Sequence, residues 1–317
     1  MALDTLPTRD VHAEARNELR QGLLSEQRFI NPKFFYDERG SQLFSEICDL
    51  PEYYPTRAER EILSEHAAEI AGTIGPGCQL IEPGAGSCAK VRLLLGELLP
   101  ASYLPLDISA DYLMDAAEAL GRDFPDVPVI PLVGDFSREF DLPVAPGSQR
   151  VLFYPGSTIG NFTPEQASDF LQRVAKLVGE EGGLLIGVDL HKRTEILDAA
   201  YNDTRGLTAD FNLNILSHCN RLLQSDFKPG AFDHLAFYNE PERRIEMHLV
   251  SREEQRVRGT DLDIVLAPGE RIHTEYSYKY SLAGFDSLAR EAGFKREDYW
   301  LDAEGLFSLQ YFVVSPD

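Results

Sequence analysis

Cysteine is scarce in this chain of 317 residues. Cys48, Cys78, Cys88 and Cys219 are the whole set, with no CxxC spacing and no paired histidines. Neither a disulfide framework nor a metal site is expected from that pattern. Basic charge is also short, with 30 lysines and arginines against 52 acidic residues and a net charge of -22. Proteins that hold phosphate backbones carry basic patches that release counterions, so the balance argues against a nucleic-acid partner. It argues equally against anionic membrane surfaces. No long apolar run is present and the N-terminus is charged, which speaks against a membrane span or a secretory leader. Repeats and low-complexity tracts are missing. A cytoplasmic protein with a small-molecule partner is expected.

What remains is a globular composition, 43% hydrophobic and 10% aromatic, with length enough for two domains or one domain carrying a large insertion. The chain is organised around Leu80 to Lys90, LIEPGAGSCAK. An apolar run ends at Glu82, Gly84 and Gly86 make a turn, and Val91, Leu93, Leu94, Leu95 and Leu98 follow at helical spacing. Strand, glycine turn and helix let a backbone approach a nucleotide-type ligand without interference from Cβ atoms. The same turn fits a dinucleotide fingerprint, and a glycine turn with no ligand is the plainer alternative.

Taken in order, the chain opens with a helix at about Val11 to Leu24. Asn31 to Leu63 is dense in aromatics, with Pro51 and Pro55 as breakers, and suits either a core cap or a lid that presents phenols to a ligand. A helix from Thr56 carries Ile62, Leu63, Ala67, Ile70 and Ile74 to Gly75. Strands are expected at Ser102–Asp107, Val127–Val133, Arg150–Tyr154 and Leu184–Val188. Between them fall a helix at Ala110–Leu120 and another opened by the capping box Thr163-Pro164-Glu165-Gln166, whose end is placed at Gly182-Gly183. Strands that alternate with helices imply a parallel sheet covered on both faces.

From about residue 193 to 280 the pattern changes. A helical stretch through Ala199, Tyr201 and Phe211 to Leu223 precedes strand-like runs at Arg244–Val250 and Ile272–Tyr278. Strict alternation puts Ile245, Met247 and Leu249 on one face, and His273, Glu275 and Ser277 opposite Thr274, Tyr276 and Tyr278. A helix through Leu282 and Leu288, stopped at Gly293, leads into strands at Asp298–Leu301 and Phe307–Val314. The close resembles a class I methyltransferase, whose last two strands are antiparallel. The expected division is residues 60–192 plus 281–317 as one domain and 1–59 plus 193–280 as the other, with a cleft between them.

Ligands of an open parallel sheet bind beyond the carboxyl ends of its strands. Gly84, Gly86, Asp107, Asp135, Phe136 and the stretch from Gly156 to Asn161 stand there. An acidic residue roughly twenty positions past the first glycine suits a ribose diol, because a carboxylate accepts from both hydroxyls. Asp135 suits an adenine amino group, with Phe136 packed on the ring. Taken singly, each aspartate is as readily an exposed turn residue. The pair Asp135-Phe136 and the final strands favour S-adenosylmethionine (SAM) over a nicotinamide.

The segments FFYDERGSQLFSEICDLPEYYPTRAE, EPGAGSCAK, GDF, YPGSTIGN, RIEM and TEYS, in that order, resemble the histidine Nα-methyltransferases, which form hercynine on the way to ergothioneine. The resemblance covers about Asn31 to Val314. It implies a class I, Rossmann-like SAM-dependent methyltransferase with an inserted α+β substrate-binding domain. It implies cofactor contacts at Gly84, Gly86, Lys90, Asp107, Asp135 and Phe136. It also implies substrate contacts for L-histidine at Tyr53, Gly156, Asn161, Tyr201, Met247, Glu275 and Ser277, with Glu275 and Ser277 on the imidazole. No catalytic residue is assigned; Tyr53 or Tyr36 orients the amine and passes its proton to water. Two departures stand out: EPGAGSC replaces an ELGSGTS-like loop, and Tyr276 interrupts the imidazole pair. The alternatives are methylation of another amino acid or small amine, and a non-catalytic SAM-binding protein. A monomer is expected.

Overall fold

The structure, a computed structural model, describes residues 11–134, 136 and 147–315. In chain order it begins with α1 (Val11–Leu24), α2 (Glu38–Cys48), α3 (Tyr54–Glu65) and α4 (Ala67–Ile74). Then follow β1 (Gln79–Pro83), α5 (Arg92–Leu98), β2 (Ser102–Asp107), α6 (Ala110–Asp123), β3 (Leu132–Val133) and β4 (Arg150–Tyr154). Next come α7 (Pro164–Val178), β5 (Gly183–Asp189), α8 (Thr194–Tyr201), α9 (Leu207–Leu223), β6 (Phe232–Asn239) and β7 (Arg244–Ser251). The chain closes with β8 (Gln255–Gly259), β9 (Leu262–Leu266), β10 (Arg271–Tyr278), α10 (Leu282–Glu291), β11 (Phe294–Leu301) and β12 (Phe307–Val314).

Two compact units result: the described parts of Met1–Tyr53 with Arg193–Ser277, and of Tyr54–Lys192 with Tyr278–Asp317. The chain crosses between them at 53/54, 192/193 and 277/278, against the expected 59/60, 192/193 and 280/281. The first crossing is early because Tyr54 already opens α3, whose buried face (Ala58, Ile62, Leu63) belongs to the second unit's core.

That second unit is a seven-stranded sheet in the order β11-β12-β5-β4-β1-β2-β3. β1 pairs in parallel with both β2 and β4, and β4 with β5. β12 runs antiparallel to β5 and β11. The order reverses at β1 and β4, and this switch point lies where the glycine turn leaves the sheet. Helices cover both faces. Ile62, Ile70, Leu94 and Leu95 pack on one side with Val151 and Leu309. Phe170, Leu171, Val174 and Phe285 pack on the other with Ile81, Leu152 and Ile186. Each such fully buried side chain contributes roughly 1.5–3 kcal/mol. α7 starts as the sequence suggests, with the Thr163–Gln166 capping box and Pro164 in the first turn.

Local departures have local causes. β3 has only two residues in place of the expected run from Val127, because Pro128 and Pro131 remove ladder donors. The helix expected from Thr56 to Ile74 is two helices that meet at His66, which caps α4 without a side-chain bond. α7 stops at Gly179 (φ 82°, ψ -178°) rather than at Gly182-Gly183, since glycine takes a positive φ that side chains disfavour.

In the first unit a three-stranded sheet, β10-β7-β6, packs on α9, and β8-β9 form a separate hairpin. Asn212 of α9 ties the layers. It donates to His248 O, and its side-chain oxygen accepts from the Thr274 hydroxyl at 2.7 Å. Ile245, Met247 and Leu249 are buried, as alternation requires. Strict alternation fails in β10, where His273 and Tyr276, expected on opposite faces, have ring centroids 3.8 Å apart. No helix among the described residues is long and apolar enough to cross a membrane.

Candidate active site

The glycine turn is built on positive dihedrals. Gly84 has φ 66°, Gly86 φ 51°, and the buried Cys88 φ 53°. At Gly84 and Gly86 the requirement is conformational, since side chains rarely adopt such angles. The amides of Gly84 and Ala85 donate to Leu106 O at 2.7 and 3.2 Å, stitching the turn to the end of β2. Asp107 is clamped in the same place. One carboxylate oxygen accepts from Gly86 N at 3.2 Å and the other from Ser109 N at 3.0 Å. Each carboxylate oxygen has two lone-pair sites, so the group is oriented yet keeps accepting capacity for a diol. Ile108 beside it is 61% exposed, an apolar side chain at the strand end that the sequence reading did not single out.

At the end of β3 the chain reaches Gly134; Asp135 lies outside the described residues. The Phe136 ring lies edge-on to Phe170 at 5.9 Å, in the aromatic group that holds Tyr154 and Phe162. After β4, Gly156 (φ 83°) and Ser157 (φ 54°) turn the chain into the short helical turn Thr158–Asn161. Asn161 is half-buried there. These residues, with Lys90, occupy the carboxyl end of the sheet at the switch point. This positive-φ turn, with a carboxylate held on the next strand end, suits a ligand carrying a ribose.

Beneath the turn lie groups that periodicity had not flagged. Glu59, fully buried, accepts from Gly156 N at 2.8 and 3.0 Å and pairs with Lys90 Nζ at 2.5 Å. Its placement at i−3 and i−4 from the buried Ile62 and Leu63 is the sequence signal that would have found it. Glu82 is 3% exposed and accepts from the Tyr103 hydroxyl at 2.5 Å. Burial pushes its carboxyl up to about 8, against the lowering effect of Tyr103 and Lys90. Further along, Asp189 accepts from the Tyr54 hydroxyl at 2.8 and 2.7 Å and pairs with Lys279 at 2.7 Å and with Lys192. Burial works to raise Asp189, but the two ammonium groups outweigh it and hold the carboxyl below its usual range. Burial pushes Lys192 down to about 8 despite Asp189.

In the other unit the structure brings Tyr53, Tyr201, Glu275 and Ser277 together. The Tyr53 and Tyr201 rings meet edge-to-face at 6.4 Å. Tyr201 donates to Ser277 Oγ at 2.9 Å. Its backbone carbonyl is held by His234 Nε2 at 3.0 Å. Glu275 (9% exposed) and Met247 (1%) are buried on neighbouring strands. Burial raises the Tyr53 hydroxyl well above its ordinary value, and Tyr201, Cys48, Tyr36 and Glu275 add to the effect. Tyr53 is therefore a neutral phenol at physiological pH. Tyr276 interacts elsewhere: the Arg244 guanidinium sits 3.9 Å over its ring, beside His273. Among the described residues no group of histidine, cysteine and acidic side chains is arranged to hold a metal ion.

A sheet with this strand order, an antiparallel last pair, and a glycine turn facing a strand-end carboxylate is that of a class I SAM-dependent methyltransferase. The family described as histidine-specific, SAM-dependent methyltransferase matches residues 15–314. The chain is 40% identical over 311 residues to the histidine N-alpha-methyltransferase of Mycolicibacterium smegmatis, covering 96% of each chain. It is 38% identical over 304 residues to the Mycobacterium tuberculosis protein of the same name, covering 94% of each. A more distant relative, the 4-dimethylallyltryptophan N-methyltransferase of Arthroderma benhamiae, is 29% identical over 302 residues, covering 89% of this chain and 88% of that one. The protein belongs to the histidine-specific SAM-dependent methyltransferase family.

Proposed function

We propose that the protein methylates the α-amine of L-histidine with SAM, three times in succession, to give Nα,Nα,Nα-trimethylhistidine. The observation that carries the substrate reading is the grouping of Tyr53, Tyr201, Glu275 and Ser277 in one unit, on a chain whose family is histidine-specific. When bound, SAM supplies a methyl group on a sulfonium: the S–C bond breaks as the N–C bond forms, and sulfur keeps the electron pair. The residues proposed to hold it are Gly84, Gly86, Lys90, Asp107, Asp135 and Phe136, and the preset Asp107 carboxylate fits its ribose.

The chain's task is positioning, which alone supplies much of the rate in a transfer between two aligned partners. Glu275 accepts from the imidazole N–H, and Ser277, held by Tyr201, completes the contact. Asn161, in the turn that Gly156 shapes, is the proposed donor to the substrate carboxylate, while Tyr201, whose one O–H goes to Ser277, and Met247 are proposed to shape the imidazole side. Because the Tyr53 phenol stays protonated, it orients the amine rather than removing its proton, and the proton passes to water. Pinning the carboxylate and the imidazole leaves the nitrogen free to accept successive methyl groups.

The reading also has the protein act as a cytoplasmic monomer without nucleic-acid or membrane partners; the net charge of -22 supports the last two points. A second reading, methylation of another aromatic amino acid, is favoured by the tryptophan-derivative relative. A panel of amino acids, assayed by release of S-adenosylhomocysteine, separates the two. Turnover of histidine far above tryptophan and phenylalanine is expected, and the reverse order rejects the histidine assignment.

A further inference from the structure

We propose that Glu59 is a positioning residue for the methyl-donor site, acting through Lys90 and the Gly156 turn. The inference rests on the reading of Lys90 as a cofactor contact. Glu59 is fully buried on α3. Both its oxygens face the Gly156 amide, and one also holds Lys90 Nζ at 2.5 Å. The Lys90 side chain is 26% exposed. Its ammonium tip is therefore fixed on a buried carboxylate although the side chain is not fully enclosed.

The surrounding chain is shaped around this carboxylate. Gly187 interrupts the apolar strand Leu184–Val188, and a Cβ there would lie 2.2 Å from Glu59 Oε1. Gly156 needs its φ of 83° to aim its amide at the carboxylate, and a Cβ there would come within 3.1 Å of Lys90 Nζ. Buried ion pairs are weak sources of stability, because desolvation offsets their attraction and apolar packing does as well. What this pair does supply is a fixed direction for the lysine and a fixed turn ahead of Asn161. The second buried carboxylate, Glu82, lies within electrostatic reach of the same ammonium but takes its hydrogen bond from Tyr103.

The test is a double-mutant cycle of Glu59→Gln and Lys90→Met, with SAM affinity read by calorimetry and folding by thermal unfolding. Glu59→Gln nearly keeps the volume and one acceptor for Gly156 but removes the charge. Each single variant is expected to weaken SAM by about 10-fold or more, and the double variant is expected to be no weaker than Lys90→Met alone, the signature of coupled residues. A merely structural glutamate would lower the melting temperature and leave the two effects multiplicative. Parent-like SAM affinity in folded Glu59→Gln, or multiplying losses, overturns the proposal. Parent-like affinity in Lys90→Met overturns the cofactor reading of Lys90 itself. If Glu59→Gln does not fold, Glu59→Asp takes its place in the cycle. It keeps the charge but retracts it by one methylene, and undiminished SAM affinity in that variant is equally fatal.

Discussion

Replacing Asp107 separates the proposed cofactor contact from the turn clamp that the structure shows. Its two oxygens accept from the amides of Gly86 and Ser109. Asp107→Ala removes both bonds, each worth about 0.5–1.5 kcal/mol, together about 1–3 kcal/mol of stability. For a chain of this length that is a fall in melting temperature of at most about 2–4 °C per kcal/mol. Asp107→Asn keeps one carbonyl acceptor, but its amide must face the other backbone N–H, so roughly half the loss is expected. The effect on SAM is larger and of another kind. Loss of charge-assisted bonds to the ribose costs about 1.5–3 kcal/mol, or roughly 10- to 150-fold in affinity. Asp107→Asn should therefore bind SAM at least about 10-fold more weakly while staying folded at 25 °C. Calorimetric titration with SAM and S-adenosylhomocysteine, beside thermal unfolding, reads both quantities. A folded Asp107→Asn with parent-like affinity for both ligands refutes the ribose role and leaves Asp107 a turn clamp.

Other expectations follow from the same geometry. Glu275→Ala should raise the histidine KM by about 10- to 150-fold, the scale for a lost bond to a charged group, and narrow the preference over phenylalanine with SAM affinity kept; unchanged histidine kinetics would contradict it. Asn161→Ala should weaken histidine and spare SAM in separate titrations, whereas equal losses would mean that the turn after β4 has collapsed. Acid stability should depend on His273, which burial, reinforced by His248, pushes down to about 4. Below pH 6.5 the unfolded chain takes up a proton that the folded imidazole refuses, so stability is full above that pH and falls by at most about 3 kcal/mol as pH drops to about 4. Unfolding followed across that range should show a shallower slope in His273→Phe, and an unaltered slope would clear His273 of the effect.

Much of the second unit was legible because its information is local. Apolar runs that end in Asp107 and Asp189, the Thr163–Gln166 box and the glycine turn all fall inside windows of a few residues. The antiparallel final pair is readable as a resemblance, and the strand pairing bears it out. The missed features depend on distant partners or on local competition. Tyr54 and Asp189 meet across 135 positions, and nothing in either neighbourhood announces the other. β6 reads as mixed polar and apolar because its half-buried residues pack on α8 and α9 rather than on one clean core. At β3 the apolar content suggests a longer strand than the prolines allow to pair. On the site, imidazole recognition at Glu275 and Ser277 is readable only as a resemblance, since residue type alone makes Glu275 a solvated strand carboxylate. That Tyr201 donates to Ser277 depends on the packing of α8 against the sheet, which no spacing encodes.

The central claim is tested most directly by the product itself. With excess SAM and purified protein, histidine should pass through mono- and dimethylated forms to a trimethylated one, and fragmentation should place every methyl on the α-nitrogen. A methyl group on the imidazole, or histidine left unmodified while another amine is consumed, would contradict the account.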